Sequence, residues 1–122
     1  MRTQEVKSSD WPVFCNRFTE HQKDGLLNIE EITPEGKATT IANDVQLIEA
    51  KLVNEACNDV VRLTLRTEAG RELVHRITEP IHLKIRESNG RKILEIIAES
   101  GTTLLRFHSA KLPQMLEGLH VS

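Results

Sequence analysis

Residues 81–96, IHLKIRESNGRKILEI, decide the predicted fold of this chain. Two runs of alternating apolar and polar residues flank Asn89-Gly90. An Asn-Gly pair in that position is the strongest short-range signal of a β-hairpin, because both loop positions need a positive φ. The two-residue loop then sets a register in which apolar residues meet apolar residues and opposite charges meet. The predicted pairs are Leu83 with Ile96, Ile85 with Leu94, Lys84 with Glu95, and Glu87 with Lys92.

A third strand extends this hairpin on its far side. The segment TLLRFH follows Ser100-Gly101, which we interpret as a second two-residue loop. That loop places Leu105 opposite Ile96, Phe107 opposite Leu94, and Arg106 opposite Glu95. One face of the three strands is then predicted to be core, and its members are Leu83, Ile85, Leu94, Ile96, Leu105 and Phe107.

The opposite face of the same strands mixes charges with aliphatic side chains. A solvated face would not need Ile93, Ile97 and Leu104, so we expect a cover, which is the N-terminal helix, the C-terminal tail or another subunit. Glu95 is predicted to lie between Lys84 and Arg106 in a ladder of charges. The candidate residues for binding a ligand or a partner are His82, Arg86, Ile93, Ile97, Leu104, Arg106 and His108.

Before this hairpin the chain predicts one helix and then a series of short strands. Trp11, Phe14, Cys15 and Phe18 recur at the spacing of one helical face, and Gly25 is a plausible helix end. Short β-like runs with regular turn signals follow and favour an antiparallel meander. Asn43-Asp44 is interpreted as a break between two of these runs, ATTIA and VQLIEAKLV. At 122 residues we expect a single α+β domain, residues 1–122. It comprises the amphipathic N-terminal helix packed on about six to eight strands, as a curled sheet or small barrel, and a short C-terminal helix within AKLPQMLEGL.

A second hairpin, VVRLTLR to ELVHRIT, suggests an alternative site. A three-residue loop at Glu68-Ala69-Gly70 places Arg62 opposite Arg76, a like-charge pair that would be relieved by an anion or a carboxylate. The same loop sets Leu65 opposite Leu73, Val61 opposite Ile77, Arg66 opposite Glu72, and His75 opposite Leu63, pointing inward. If the strands are neighbours, a basic anion-binding stripe would consist of Arg62, Arg76, Lys84, Arg86 and Arg106. The competing interpretation is a solvated face neutralised by Glu72 and Glu95.

Composition and motifs narrow the classes of function. A formal net charge of -2 and the scarcity of aromatic residues argue against nucleic-acid binding and attraction to an anionic membrane. The chain contains no phosphate-binding glycine loop, dinucleotide fingerprint or nucleophile elbow, so we expect no cofactor and assign no catalytic residue. Cys15 and Cys57 lack metal-site spacing, and shared metal ligation by His82 and His108 is disfavoured by their separation. We expect a cytoplasmic protein with two free thiols.

Two longer stretches carry a family resemblance, DWPVFCNRFTEHQKDGLLNIE near the start and LEIIAESGTTLLRFHSAKLPQMLEG near the end. They resemble a family of small uncharacterised bacterial proteins known as domain of unknown function 5335. The shared features are a Trp-Pro-x-Phe opening, here Trp11, Pro12 and Phe14, and a late Gly-Thr-Thr-x-Leu-Arg-Phe segment, here 101–107. The resemblance implies a single bacterial domain and carries over no activity or site residue.

The sequence therefore leads to two functional hypotheses. The first is a non-enzymatic binding or protein-interaction module, acting as a homodimer or with another protein partner through the Ile93, Ile97 and Leu104 face. The second is binding of a small anionic ligand, or enzymatic action on one, through the basic stripe. We expect binding rather than catalysis.

Overall fold

The structure, a computed structural model, describes residues 2–22, 25–88 and 91–107. This part of the chain forms one α-helix and eight strands, with a single 3-10 turn at Ser8–Asp10. The elements in chain order are β1 Arg2–Glu5, α1 Trp11–Gln22, β2 Leu26–Ile32, β3 Ala38–Glu55, β4 Asn58–Arg66, β5 Glu72–Thr78, β6 Pro80–Ser88, β7 Arg91–Ala98 and β8 Gly101–Phe107.

The strands form one antiparallel sheet in the order β1-β6-β7-β8-β2-β3-β4-β5. Within the described residues β1 and β5 are its two edges, so the sheet does not close into a barrel. The sheet is nevertheless curled, because β4 lies near β6 and β5 lies near β7 although several strands separate the members of each pair in the sheet order. Of the two predicted architectures, the curled sheet is confirmed. The predicted C-terminal helix lies outside the described residues.

Helix α1 packs mainly against β3 and joins the buried core on one side of the sheet. Its apolar stripe, Trp11, Phe14 and Phe18, belongs to the same buried cluster as the predicted core face of β6, β7 and β8. The ring centroids of Phe18 and Phe107 are 5.5 Å apart, and the two rings are arranged edge to face, which is favourable for aromatic pairs. We call this side of β6, β7 and β8 the inner face. Its fully buried members are Leu83, Leu94, Ile96 and Leu105.

Hydrogen bonds fix the helix where it meets β3. Thr19 Oγ1 accepts from the Ala50 N–H at 2.9 Å and lies 2.9 Å from the carbonyl oxygens of both Ala50 and Cys15. Trp11 Nε1 donates to the Val6 carbonyl at 2.9 Å. Because Ala50 is buried and no solvent can replace these partners, the contacts satisfy polar groups that would otherwise destabilise the core.

Two predicted registers are confirmed. Strands β6 and β7 pair in the predicted register from His82 to Ser88, with a register shift between Pro80 and His82, and Ser88 opposite Arg91 leaves two residues between the strands. The conformation of Asn89-Gly90 lies outside the described residues. Strands β4 and β5 also pair as predicted, with Arg62 opposite Arg76 and His75 opposite Leu63.

The predicted pairing of β7 with β8 is wrong by two residues. Leu105 lies opposite Leu94, because the two-residue connection is Glu99-Ser100 and Gly101 already pairs with Ala98. Gly101 has a φ of 145°, and a Cβ there would lie 2.7 Å from the Ile32 carbonyl oxygen. This glycine is therefore required by a close approach between strands. A shift of two keeps every side chain on its predicted face.

Two further predictions differ from the structure. Asn43-Asp44 does not separate two strands, because β3 runs continuously over 18 residues. These two residues form a bulge instead: Leu27 pairs with Val45 and Ile29 with Ala42. Asp44 has a φ of 52°, and its N–H donates to Asn28 Oδ1 at 2.8 Å. The other difference is β1, whose polar sequence RTQE gives no strand signal.

Candidate interaction face

The side of β6, β7 and β8 turned away from α1 carries six of the seven candidate residues predicted for partner binding. We call it the outer face. The register places Ile93 between Arg86 and Arg106, and Ile97 opposite His82. Leu104 lies on β8 between these rows, and His108 lies outside the described residues. Three adjacent strands therefore bring the predicted residues together on one surface.

The aliphatic residues of the outer face differ in how accessible they are. Ile93 and Ile97 are half-buried. Leu104 is only 4% exposed, although it lies on the side opposite the inner face. It stands between Glu95 on β7 and Glu30 on β2 in the register. The surface that a partner can reach therefore centres on Ile93 and Ile97, with Leu104 beneath it.

Ion pairs border these aliphatic residues. Arg86 donates to the Glu95 carboxylate at 3.1 Å, and Arg106 donates to Glu30 at 3.2 Å. The Glu95 side chain is 14% exposed, so its charge is stabilised by the guanidinium rather than by water. The predicted ladder placed Glu95 between Lys84 and Arg106. In the structure Lys84 is directly opposite Glu95 on β6, as predicted, but the residue opposite Glu95 on β8 is Leu104 and not Arg106. The cation that contacts the Glu95 carboxylate is Arg86.

A third polar contact lies at the β1 edge. His82 Nδ1 and Glu5 Oε2 are 2.6 Å apart, and Glu5 reaches this position because β1 pairs with β6. Glu5 and Glu30 were not predicted as part of the site. Glu5 belongs to a strand without a sequence signal, and Glu30 is brought alongside β8 by the pairing of β8 with β2.

The arginines of the alternative anion site have carboxylate neighbours. Arg62 lies 3.8 Å from Glu49, and Arg76 lies 3.4 Å from Glu55. The predicted need for a counter-charge near this like-charge pair is thus met from within the chain. Lys84, on β6, is separated from β4 along the sheet by β7, β8, β2 and β3. The structure brings Arg62 and Arg76 together and places Lys84, Arg86 and Arg106 elsewhere.

The remaining reactive groups have mainly structural surroundings. Burial raises the pKa of the Cys15 thiol to about 12, so this sulfur stays protonated, while Cys57 is exposed. Burial lowers the pKa of His75, and the nearby Glu31 carboxylate opposes this shift. Within residues 2–22, 25–88 and 91–107, no group of three His, Cys, Asp or Glu side chains could hold a metal ion. No helix in the same ranges is long and apolar enough to cross a membrane.

An open cleft of about 540 Å³ lies beside the β4–β5 turn. The β3 bulge contributes Asp44, and the strands and turn contribute the other lining residues, which are Leu26, Gln46, Arg66, Thr67, Glu68 and Gly70. Sequence reasoning missed this cleft because a bulge and a turn that are far apart in the chain form it. Its polar, shallow lining offers no enclosed apolar pocket of the kind that small-molecule sites usually have.

No family model, curated protein or solved structure matches this chain.

Proposed function

We propose that this protein is a non-enzymatic protein-interaction module that binds a protein partner through its outer face. The observation that carries the proposal is that Ile93 and Ile97 are half-buried on the side of the sheet opposite the buried cluster of α1, with Ile93 flanked by two arginines and Ile97 by His82 and Thr102. Aliphatic side chains with a polar rim are typical of protein interfaces. We expect the module to act in the bacterial cytosol, where its two thiols stay reduced.

The charges of the outer face favour a protein over a polyanion. Carboxylates of the flanking strands β1 and β2 lie beside its cations, so the face and its two borders together carry equal numbers of carboxylates and of lysine and arginine side chains. They are Glu5, Glu30, Glu95, Lys84, Arg86 and Arg106. A nucleic acid or anionic membrane is bound mainly by excess positive charge. A protein surface of mixed charge can be matched group by group, which gives specificity.

The alternative, binding of a small anion or enzymatic action on one, receives less support. Arg62, Arg76 and Arg106 each lie within 4.0 Å of a carboxylate, which partly neutralises the positive charge that would attract a small anion. A thermal-shift series with millimolar phosphate, nucleotides and carboxylic acids tests this alternative. We expect no stabilisation, and a rise in melting temperature that Arg62→Gln or Arg76→Gln abolishes would favour the alternative over our proposal.

The direct test of the proposal compares Ile97→Asp with Val13→Asp. Both replace an accessible aliphatic residue with a carboxylate, but Val13 lies on the exposed side of α1. Wild-type protein and both variants are immobilised and exposed to bacterial extract. A captured protein is then purified, and its dissociation constant is measured for all three by calorimetry.

We expect Ile97→Asp to raise the dissociation constant at least about tenfold, because a central apolar contact is replaced by a buried charge. Val13→Asp should bind like the wild type. Equal affinity of all three, in variants that circular dichroism shows to be folded, would refute a role for the outer face.

A further inference from the structure

Strand β5 has an edge that no strand in the described ranges covers. It is the last strand in the sheet order, and its ladder partner is β4. Natural sheets protect such edges with short strands, Pro, Lys or bulges. The other edge strand, β1, has four residues and no aliphatic side chain. In contrast, β5 has seven residues, ELVHRIT, pairs with β4 without a register shift, and exposes 51% of Val74.

The hydrogen bonds at the two ends of β5 show which of its backbone groups point outward. Thr67 N–H donates to the Arg71 carbonyl, and Glu79 N–H donates to the Asp59 carbonyl. Hydrogen-bonded and non-bonded pairs alternate along an antiparallel ladder, so the bonded partners of β4 within β5 are Leu73, His75 and Ile77. The N–H and C=O groups of Glu72, Val74 and Arg76 therefore point away from β4.

The side chains of these same residues form a symmetric pattern. Glu72, Val74 and Arg76 alternate along the strand, so they share one face, with opposite charges two positions on either side of an exposed aliphatic residue. Such an order is complementary to itself when the strand is reversed.

We propose that β5 pairs with β5 of a second copy of this chain, antiparallel and centred on Val74. In this register Val74 faces its own copy, and each Glu72 faces the Arg76 of the other molecule. Arg76 approaches Glu55 of its own chain through Nε at 3.4 Å, and a guanidinium has enough N–H donors to serve a second carboxylate as well. Each facing pair exchanges two backbone hydrogen bonds, using the groups that point away from β4. The pairing joins the two sheets through their β5 edges into one continuous sheet.

Other registers that use the same backbone groups are less complementary. Centring on Arg76 places the two arginines opposite each other, which is destabilising. Centring on His75 sets Val74 opposite Arg76 and Glu72 opposite Thr78, and it forms no Glu–Arg pair. The charge pattern therefore selects one register. The proposed dimer does not involve the outer face, so a result that refutes the dimer would leave the proposed function untouched, and the reverse is also true.

Charge reversal tests this register. Sedimentation velocity over a concentration series gives the dimer dissociation constant of the wild type, Glu72→Arg, Arg76→Glu and the double variant. Each single reversal sets like charges opposite each other twice per dimer, and we expect the dissociation constant to rise about tenfold or more. The double variant restores both pairs with reversed polarity, and it should return the constant to within about threefold of the wild type.

A backbone variant tests the hydrogen bonds separately. Val74→Pro removes an N–H that points away from β4, so the fold should survive while the dimer is lost. Circular dichroism and thermal melting check the fold, and Val13→Asp serves as a surface control with unchanged dimerisation. A wild type that is monomeric up to millimolar concentration would overturn the proposal. A dimer whose dissociation constant does not respond to the charge reversals would also overturn it.

Discussion

The two faces of β6, β7 and β8 are built from the same three strands but have different compositions. On the inner face Leu83, Leu94 and Ile96 are fully buried in the core cluster that also contains the apolar stripe of α1. On the outer face Ile93 and Ile97, each next in sequence to one of them, are half-buried. Ile93 lies between Arg86 and Arg106, and Ile97 lies between His82 and Thr102. Successive residues of a strand point to opposite sides. Neighbouring residues of similar chemistry therefore lie in different surroundings, buried in the core on one face and partly accessible on the other, where we propose that a partner binds.

The largest expected effect comes from truncating the two faces in parallel. Leu94→Ala leaves a cavity in the core and should lower the free energy of unfolding by about 2–5 kcal/mol. Ile93→Ala, one residue earlier, removes side-chain atoms that are only half-buried and should cost about half as much or less. Urea denaturation of both variants measures the difference, and equal losses would contradict the distinction between the faces.

A smaller effect is expected where α1 is fixed to the inner side of the sheet. Thr19→Val keeps the shape of the side chain but leaves the buried Ala50 N–H without its hydroxyl partner. We expect a loss of about 1–3 kcal/mol, the cost of an unsatisfied buried donor. Thr40→Val, at an exposed position of β3, is the matched control and should change the free energy of unfolding little. If the two variants unfold alike, the contact between helix and strand does not stabilise the fold.

A weaker, pH-dependent effect is expected at His75, which faces inward at the margin of the sheet. Burial lowers its pKa in the folded protein from the ordinary value of 6.5. Just below that pH the unfolded chain therefore binds a proton that the folded chain does not. The contribution of neutral His75 to the free energy of unfolding is therefore complete above pH 6.5, and it is lost as the pH falls from 6.5 toward the lower pKa of the folded protein. His75→Gln should flatten the dependence of the unfolding free energy on pH between about 7 and 5. An unchanged slope would show that burial does not disfavour the charged imidazole.

The smallest expected effect concerns reactivity without a change in stability. Cys15, whose pKa burial raises to about 12, should resist alkylation at pH 8, whereas the exposed Cys57 should react. Native protein should therefore consume one equivalent of thiol reagent and denatured protein two. Cys57→Ser should abolish the native reaction. Rapid labelling of Cys15 in the folded state would show that the inner side is more accessible than its packing indicates.

The sequence allowed the faces of the sheet to be predicted, because local signals determine them. Asn89-Gly90 and Gly70 are the sequence signals from which the β6–β7 and β4–β5 registers were predicted, and the strands on either side pair accordingly from His82 to Ser88 and along β5. The β7–β8 register was wrong because Gly101 also resembles a turn residue, although it is needed for the approach to Ile32.

The partners contributed by distant strands could not be predicted from local patterns. Glu30 reaches Arg106 only because β8 pairs with β2, and Glu5 reaches His82 only because β1 joins the edge at β6. Both contacts depend on which strands become neighbours, and hydrophobic periodicity carries no such information. The β3 bulge was misinterpreted as a turn for a related reason, since Asn and Asp adopt positive φ in either setting.

Ile96 and Ile97 are consecutive residues of β7, and the proposed function requires that Ile96 holds the fold while Ile97 is available to a partner. The direct test is chemical denaturation of Ile96→Asp and Ile97→Asp side by side. Ile96→Asp buries an unpaired carboxylate in the core and should lose about 4 kcal/mol or more, or fail to fold. Ile97→Asp should remain folded, with a loss of about 1 kcal/mol. A loss for Ile97→Asp as large as that for Ile96→Asp would show that the outer face is a second core and would contradict the proposed binding role.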